Sequence, residues 1–382
     1  MRFKIYLKTI VLLAVAAALR FVIAARFLES ENLLVQLVSI LACLVIGGVV
    51  IYEVAKYVEE ITSVLKDRTG LAGGLLQAFG TAFPDMALGI TAAISSLSLV
   101  GTNQLLAIQY AIVAASTTFG SNIYNIAHAG WCVYRQNKAN SSGQNIKMFP
   151  LIGFGTVQPL SRHNIKPKVV EINTALSVLT ALSALTAVTV LSMVFFGKVG
   201  PIEGIAGDLY QLKWYIGVLM LALILITLYA FRRNYGSQED SLQNPFAKFS
   251  LVELWPVLLI LGAIILFSAE AMVDSVIKFS DITHIPAVVS GLIVGIIGCL
   301  GEMMVIHNYT VHPKGRIGDA IVGVAMDNVV TLLGASVIAI MGGIFLGGSS
   351  LIAIFVLVLA ANTVLMWQVA RLKDEYITSK DS

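Results

Sequence analysis

Ten apolar runs divide the 382-residue chain, and they constrain its fold more than any other feature. They cover roughly residues 5–27, 33–57, 71–97, 104–133, 173–196, 213–231, 254–277, 285–310, 316–342 and 349–370. Each is close to the ~20 residues that carry a helix across ~30 Å of hydrocarbon. In lipid every main-chain amide must bond within its own segment or barrel, and runs of this length do so as helices. The expectation is an all-α integral membrane protein of about ten transmembrane helices. Composition agrees, with 57% of residues hydrophobic and only 12% charged, about half the ~25% charge of soluble chains. So little charge excludes a water-soluble enzyme, a disordered chain and a nucleic-acid partner. A net charge of +3 calls for no polyanion either.

Lysine and arginine orient the runs. With the N-terminus inside, twenty of them fall in inside segments, and only Arg26, Lys198, Lys213 and Lys278 fall outside. Both termini and the loop Tyr134–Glu171 then face the cytoplasm, with the plasma (inner) membrane as the expected location. The first run also has the outline of a signal peptide. Arg20 inside it, and the lack of a clean small-x-small exit, favour a helix that stays. Cys43, Cys132 and Cys299 lie in three different apolar runs and form no CxxC pair. Neither a disulfide framework nor a thiolate metal site is indicated, and no cofactor is expected.

The chain resembles itself. Ile46-Gly47-Gly48-Val49-Val50-Ile51-Tyr52 aligns with Leu261-Gly262-Ala263-Ile264-Ile265-Leu266-Phe267, and Val58-Glu59 with Val273-Asp274 in the same register. Gly74-Leu75-Leu76 then matches Gly291-Leu292-Ile293, and Asp85-Met86 matches Glu302-Met303. An odd number of runs separates the copies, so the second is inverted in the membrane. Inverted repeats place a substrate site near the midplane, where the copies face each other.

Acidic residues inside the runs supply the chemistry. Asp85, Glu302 and Asp327 each cost roughly 2.5–3.5 kcal/mol at a helix centre on insertion scales. The protein supplies a single intramembrane base, Arg20, against them. An excess of acid without a fixed cation suits a mobile one, and hard cations such as Ca²⁺ take six to eight oxygens. Thr81 and Asp85 share a helix face, as do Ser121 and Asn125, whose amide oxygen is a further donor. Pro84 removes an amide and is expected to break its helix, exposing a carbonyl one turn earlier. Packing of small polar residues is the plainer account of Ser121 or Asn122 taken alone. Glu270, Asp274, Glu53 and Glu59 are expected to face an aqueous vestibule. His128 and His307 are candidate proton relays, although hydrogen-bonded structural histidines are the preferred reading. The loop 137–167 shows no motif, and is read as solvated or as touching acidic headgroups.

At these residues the chain resembles the cation/Ca²⁺ exchanger superfamily, which includes sodium/calcium and proton/calcium exchangers. Its members carry a GTSxPE signature on one helix and GSNxxN or GSNxxD on the next, in each of two inverted repeats. Gly80-Thr81-Ala82-Phe83-Pro84-Asp85 and Gly120-Ser121-Asn122-Ile123-Tyr124-Asn125 fit the first copy. The resemblance implies two inverted-topology repeats of the sodium/calcium exchanger type, with Thr81, Asp85, Ser121 and Asn125 lining the ion site. Asn122, within the second motif, and Ala78, just ahead of the first, are grouped with them. The second copy keeps the acid in Gly298-Cys299-Leu300-Gly301-Glu302 but loses Thr, Ser and Pro. Asp327 is carried over as its partner, with Asn328 as the alternative register. Asp85 also stands where the family has Glu, and Ala82 where it has Ser. Against the family pattern, the expectation is that the usual last helix is absent and an additional one stands at the N-terminus. Lost hydroxyls mean fewer sodium ligands, which admits proton coupling or another divalent ion.

The expected organisation follows. An additional helix occupies 1–30, the first repeat 31–235, a cytoplasmic linker 236–252, the second repeat 253–372 and a tail 373–382. The expected function is a secondary antiporter that exchanges a divalent cation, Ca²⁺ foremost, for Na⁺ or H⁺. Its partners would be those inorganic cations and the bilayer. A non-transporting scaffold that keeps the fold but not the second-repeat site is the alternative. No Ser-His or HExxH arrangement supports an intramembrane hydrolase.

Overall fold

The computed structural model describes residues 2–69, 73–163, 166–200, 208–231, 245–311 and 317–376. Helix α1, Arg2–Ala18, continues as a π-helical stretch, Leu19–Phe27. There follow α2 (Leu33–Thr69), α3 (Gly73–Leu99), α4 (Gln104–Ser142) and a hairpin of β1 (Ile146–Phe149) and β2 (Gly153–Val157). Next come α5 (Val169–Phe196), β3 (Lys198–Val199), β4 (Leu209–Gln211) and α6 (Trp214–Phe231). The chain continues through α7 (Leu251–Thr283), α8 (Ala287–Val311), α9 (Ile317–Ile340), β5 (Phe345–Gly347) and α10 (Gly348–Tyr376). Each expected run coincides with one helix. Among the described residues, eight segments are long and apolar enough to cross a membrane. Helix α6 is apolar but shorter, and α4 carries a polar belt, Ser116-Thr117-Thr118 through Asn125, that lowers its hydropathy.

Two local expectations are corrected. Residues 134–171 are not one loop. Helix α4 runs on to Ser142, where Gly143 closes it at φ 64°, and the β1–β2 hairpin follows. The extension is polar, so hydropathy missed it, yet it is held from outside. Asn137 donates to the Gln368 carbonyl of α10 at 2.9 Å, and the Arg135 guanidinium bonds the Lys147 carbonyl of the hairpin. Nor does Pro84 break its helix, because α3 continues through it. One missing amide costs ~3 kcal/mol or more in an isolated helix, but α3 is packed by α2, α4, α7 and α9 on several sides.

The packing obeys a two-fold exchange. Swapping α2, α3, α4 and α5 for α7, α8, α9 and α10 turns the α4–α8 contact into α9–α3, and α4–α10 into α9–α5. The α2–α7 and α5–α10 contacts map onto themselves. An internal repeat produces this pattern. Helices can approach closely at α4–α8 because α8 is small there. A Cβ on Gly295 would sit 2.8 Å from the Thr117 carbonyl and 3.0 Å from the Ser121 amide, and the Thr117 hydroxyl donates to the Gly291 carbonyl at 3.1 Å. Away from the helices, β4 pairs with both β3 and β5. The resulting three-stranded sheet joins the α5–α6 connection to the α9–α10 connection.

Helix α1 and its π-helical continuation both pack on α7, and the continuation brings a charge with it. Arg20 Nε donates to Glu270 at 2.5 Å and Nη1 to Asp274 at 3.2 Å, while the Tyr110 hydroxyl donates to Asp274 at 2.8 Å. Asp274 does line a cavity of about 440 Å³. Arg20 lines the same cavity and pairs with both acids. Glu53 is likewise paired, with Lys8 at 2.6 Å and Lys56 at 2.9 Å; the Glu59 side chain lies outside the described residues. Arg20→Met strands two carboxylates. Because these side chains are roughly a third exposed, the cost should fall below the ~3–5 kcal/mol of a fully buried pair. A loss of about 1–2 kcal/mol is expected, seen as a melting temperature lowered by several degrees in detergent.

Candidate functional site

Three acids singled out in the sequence converge from three helices. Asp85 comes from α3, Glu302 from α8 and Asp327 from α9, at 1%, 2% and 6% exposure. The Glu302 carboxylate feels the charge of both others. Asn125 of α4 completes the group, with Nδ2 donating to Glu302 Oε2 at 2.5 Å. No donor among the described residues reaches either oxygen of Asp85, Oε1 of Glu302 or Oδ1 of Asn125, all of which are buried. Among the described residues, no Lys or Arg stands against Asp85 or Glu302. Buried carboxylates left so are costly unless a cation or protons compensate them.

The local backbone explains how Asp85 reaches this position. Gly298 of α8 faces it, and a side chain there would overlap the carboxylate and press on Leu88. Ser121 lies beside Asp85, with its hydroxyl donating to the Thr118 carbonyl at 3.0 Å. The lone pairs of that hydroxyl stay available. Asn122 is 1% exposed, and neither end of its amide has a partner among the described residues. Of the two registers considered on α9, Asp327 is the residue in the field of Glu302. Asn328 donates to the Val324 carbonyl of its own helix at 2.7 Å and keeps Oδ1 unpartnered. The side chains of Thr81 and Ala78 lie outside the described residues.

Sequence reasoning missed Cys299. Its thiol lies in the field of Asp85 and Glu302 and donates to the Ile296 carbonyl at 3.5 Å. Its place one turn before Glu302 on α8 was the available signal. Asn125→Ala removes a donor to Glu302 and an amide oxygen together.

No protein-family model matches the chain, and no curated protein sequence does. Solved structures do match. The H⁺/Ca²⁺ exchanger CAX aligns over 98% of this chain and 95% of its own, at 11% identity and a TM-score of 0.55. Native YfkE aligns over 97% of each chain at 16% identity and a TM-score of 0.54. The sodium–calcium exchanger NCX_Mj covers 90% of this chain and 99% of its own at 15% identity, with a TM-score of 0.44. The fold and the buried acids thus define a multi-pass membrane protein built around an intramembrane acidic site. Its fold is the one seen in CAX and in YfkE.

Proposed function

We propose that the protein is a secondary antiporter exchanging a divalent cation, Ca²⁺ foremost, for H⁺ or Na⁺. The observation that carries this is the Asp85 carboxylate, buried among helices with the Ser121 hydroxyl beside it but no basic side chain against it among the described residues, and with Glu302 and Asp327 close by. Oxygens from Asp85, Glu302 and Asp327 would hold the ion, with Asn125, Ser121 and Thr81 adding neutral donors. Carboxylates and amide oxygens suit a hard cation. Charge balance gives the coupling, because departure of a divalent ion leaves carboxylates that protons or sodium must neutralise. The second repeat lacks the Thr and Ser hydroxyls that sodium would use, and CAX, which shares the fold, is an H⁺/Ca²⁺ exchanger. Both favour protons. The two halves would alternate access by rocking about the site, in the plasma membrane with both termini inside.

The test is radiolabelled Ca²⁺ uptake into vesicles loaded either with acid or with sodium. Uptake driven by the acid-loaded interior is the expected result. Uptake driven by sodium alone would reassign the coupling ion. A folded protein that shows no flux and no stabilisation by any cation would leave the scaffold reading.

A further inference from the structure

A second cluster of ligand-type side chains lies nearer the end of α4 and α8 that the β1–β2 hairpin covers. His128 and Cys132 are four residues apart on α4 and so share a face, and His307 meets them from α8. One ligand atom from each residue lies within 4.8 Å of the other two, and Cys132 Sγ is 3.6 Å from His128 Nε2. Zinc bonds of about 2.0 Å to nitrogen and 2.3 Å to sulfur, at a tetrahedral angle, give an edge of about 3.5 Å between such atoms. Cys132 is fully buried. The Phe149 ring of the hairpin stacks near both imidazoles, at 6.3 Å from His128 and 6.0 Å from His307. The imidazoles stack on each other at 5.9 Å. His307 Nε2 donates to the Phe154 carbonyl at 2.8 Å, which leaves its lone pair on Nδ1. The Met303 carbonyl lies against His128. Backbone carbonyls in these positions are the usual outer partners of metal-bound histidines.

We propose that His128, Cys132 and His307 form a metal site for a borderline-soft ion of the Zn²⁺ class, which ties α4 to α8 beneath the hairpin. Two nitrogens and a sulfur suit such an ion and not Ca²⁺, which takes oxygens. Binding uses the lone pairs of two neutral imidazoles and of the thiolate left when Cys132 gives its proton to water. Three protein ligands leave a fourth position for water. The site is separate from the acids, although it lies on the helices that carry Asn125 and Glu302, and it stands whether or not the protein transports Ca²⁺. The sequence had argued against a thiolate site because the cysteines form no pair. The histidine from α8 comes from far along the chain, and only the fold reveals it.

The experiment is Co²⁺ titration of the full-length, reduced, chelator-washed protein in detergent. A thiolate-to-cobalt charge-transfer band saturating at one equivalent is expected, and Zn²⁺ should bleach it while Ca²⁺ should not. The band should vanish in Cys132→Ser. In His307→Gln, which keeps the thiol and changes only a partly exposed ring, Co²⁺ affinity should fall at least tenfold. Asp85→Asn should keep the band. Zn²⁺ should also raise the melting temperature of the wild type more than that of His307→Gln. Absence of the band in the wild type, its persistence in Cys132→Ser, unchanged affinity in His307→Gln or its loss in Asp85→Asn would each overturn the proposal.

Discussion

Asp85→Asn protein reconstituted in vesicles is expected to take up no radiolabelled Ca²⁺ above protein-free controls. The substitution keeps the shape of the side chain and removes one negative charge from a site where, among the described residues, two buried oxygens have no donor. Outer-shell changes alone cost ~10–100-fold in metal affinity, so loss of a direct carboxylate should cost at least that. Removing an uncompensated buried charge also relieves the empty protein. Asp85→Asn should therefore melt no lower than the wild type in chelator, and should lose the stabilisation that added Ca²⁺ gives by mass action. Glu302→Gln should behave alike in transport. Wild-type flux in both variants would remove the acids from the mechanism.

Gly298 offers the second large effect, without touching a charge. A valine there must place its Cβ on the Asp85 carboxylate and against Leu88. Either Asp85 turns away or α8 shifts from α3, and both disperse the oxygens. Gly298→Val should abolish Ca²⁺ uptake as fully as Asp85→Asn. Gly301, three residues further along α8, has nothing among the described residues within 4 Å of a built Cβ. Gly301→Ala should retain uptake and lose no stability, since alanine is the better helix former by ~0.5–1 kcal/mol. Equal behaviour of the two variants would place Asp85 away from the site.

The helices were legible because hydrophobic run length reports directly on membrane crossing. Even α4 was found, although its polar belt depresses its hydropathy. The acids were legible because charge inside a span is costly enough to demand a reason. What hydropathy could not report was helicity beyond the apolar stretch, so residues 134–142 were read as loop. It also could not report partnership. Arg20 was visible as a lone base, but nothing in its neighbourhood of sequence linked it to Glu270 and Asp274, some 250 residues away. The same holds for His307 with His128 and Cys132. The effect of Pro84 was misjudged for the opposite reason, because a local rule was applied where tertiary packing decides.

The β3–β4–β5 sheet has a consequence for variation in the chain. It fastens two distant connections through main-chain atoms, with Leu212 N bonded to the Ile344 carbonyl at 3.1 Å and Gly348 N to the Asp208 carbonyl at 2.9 Å. Such a clasp is written in backbone, so a change at its exposed Lys198 leaves its bonds intact, whereas Leu346 is fully buried and must also fill the core. Evolution can rewrite only the outward letters freely while the fastening survives. Alanine on the outward side of this rim would find silence where proline would find the catch.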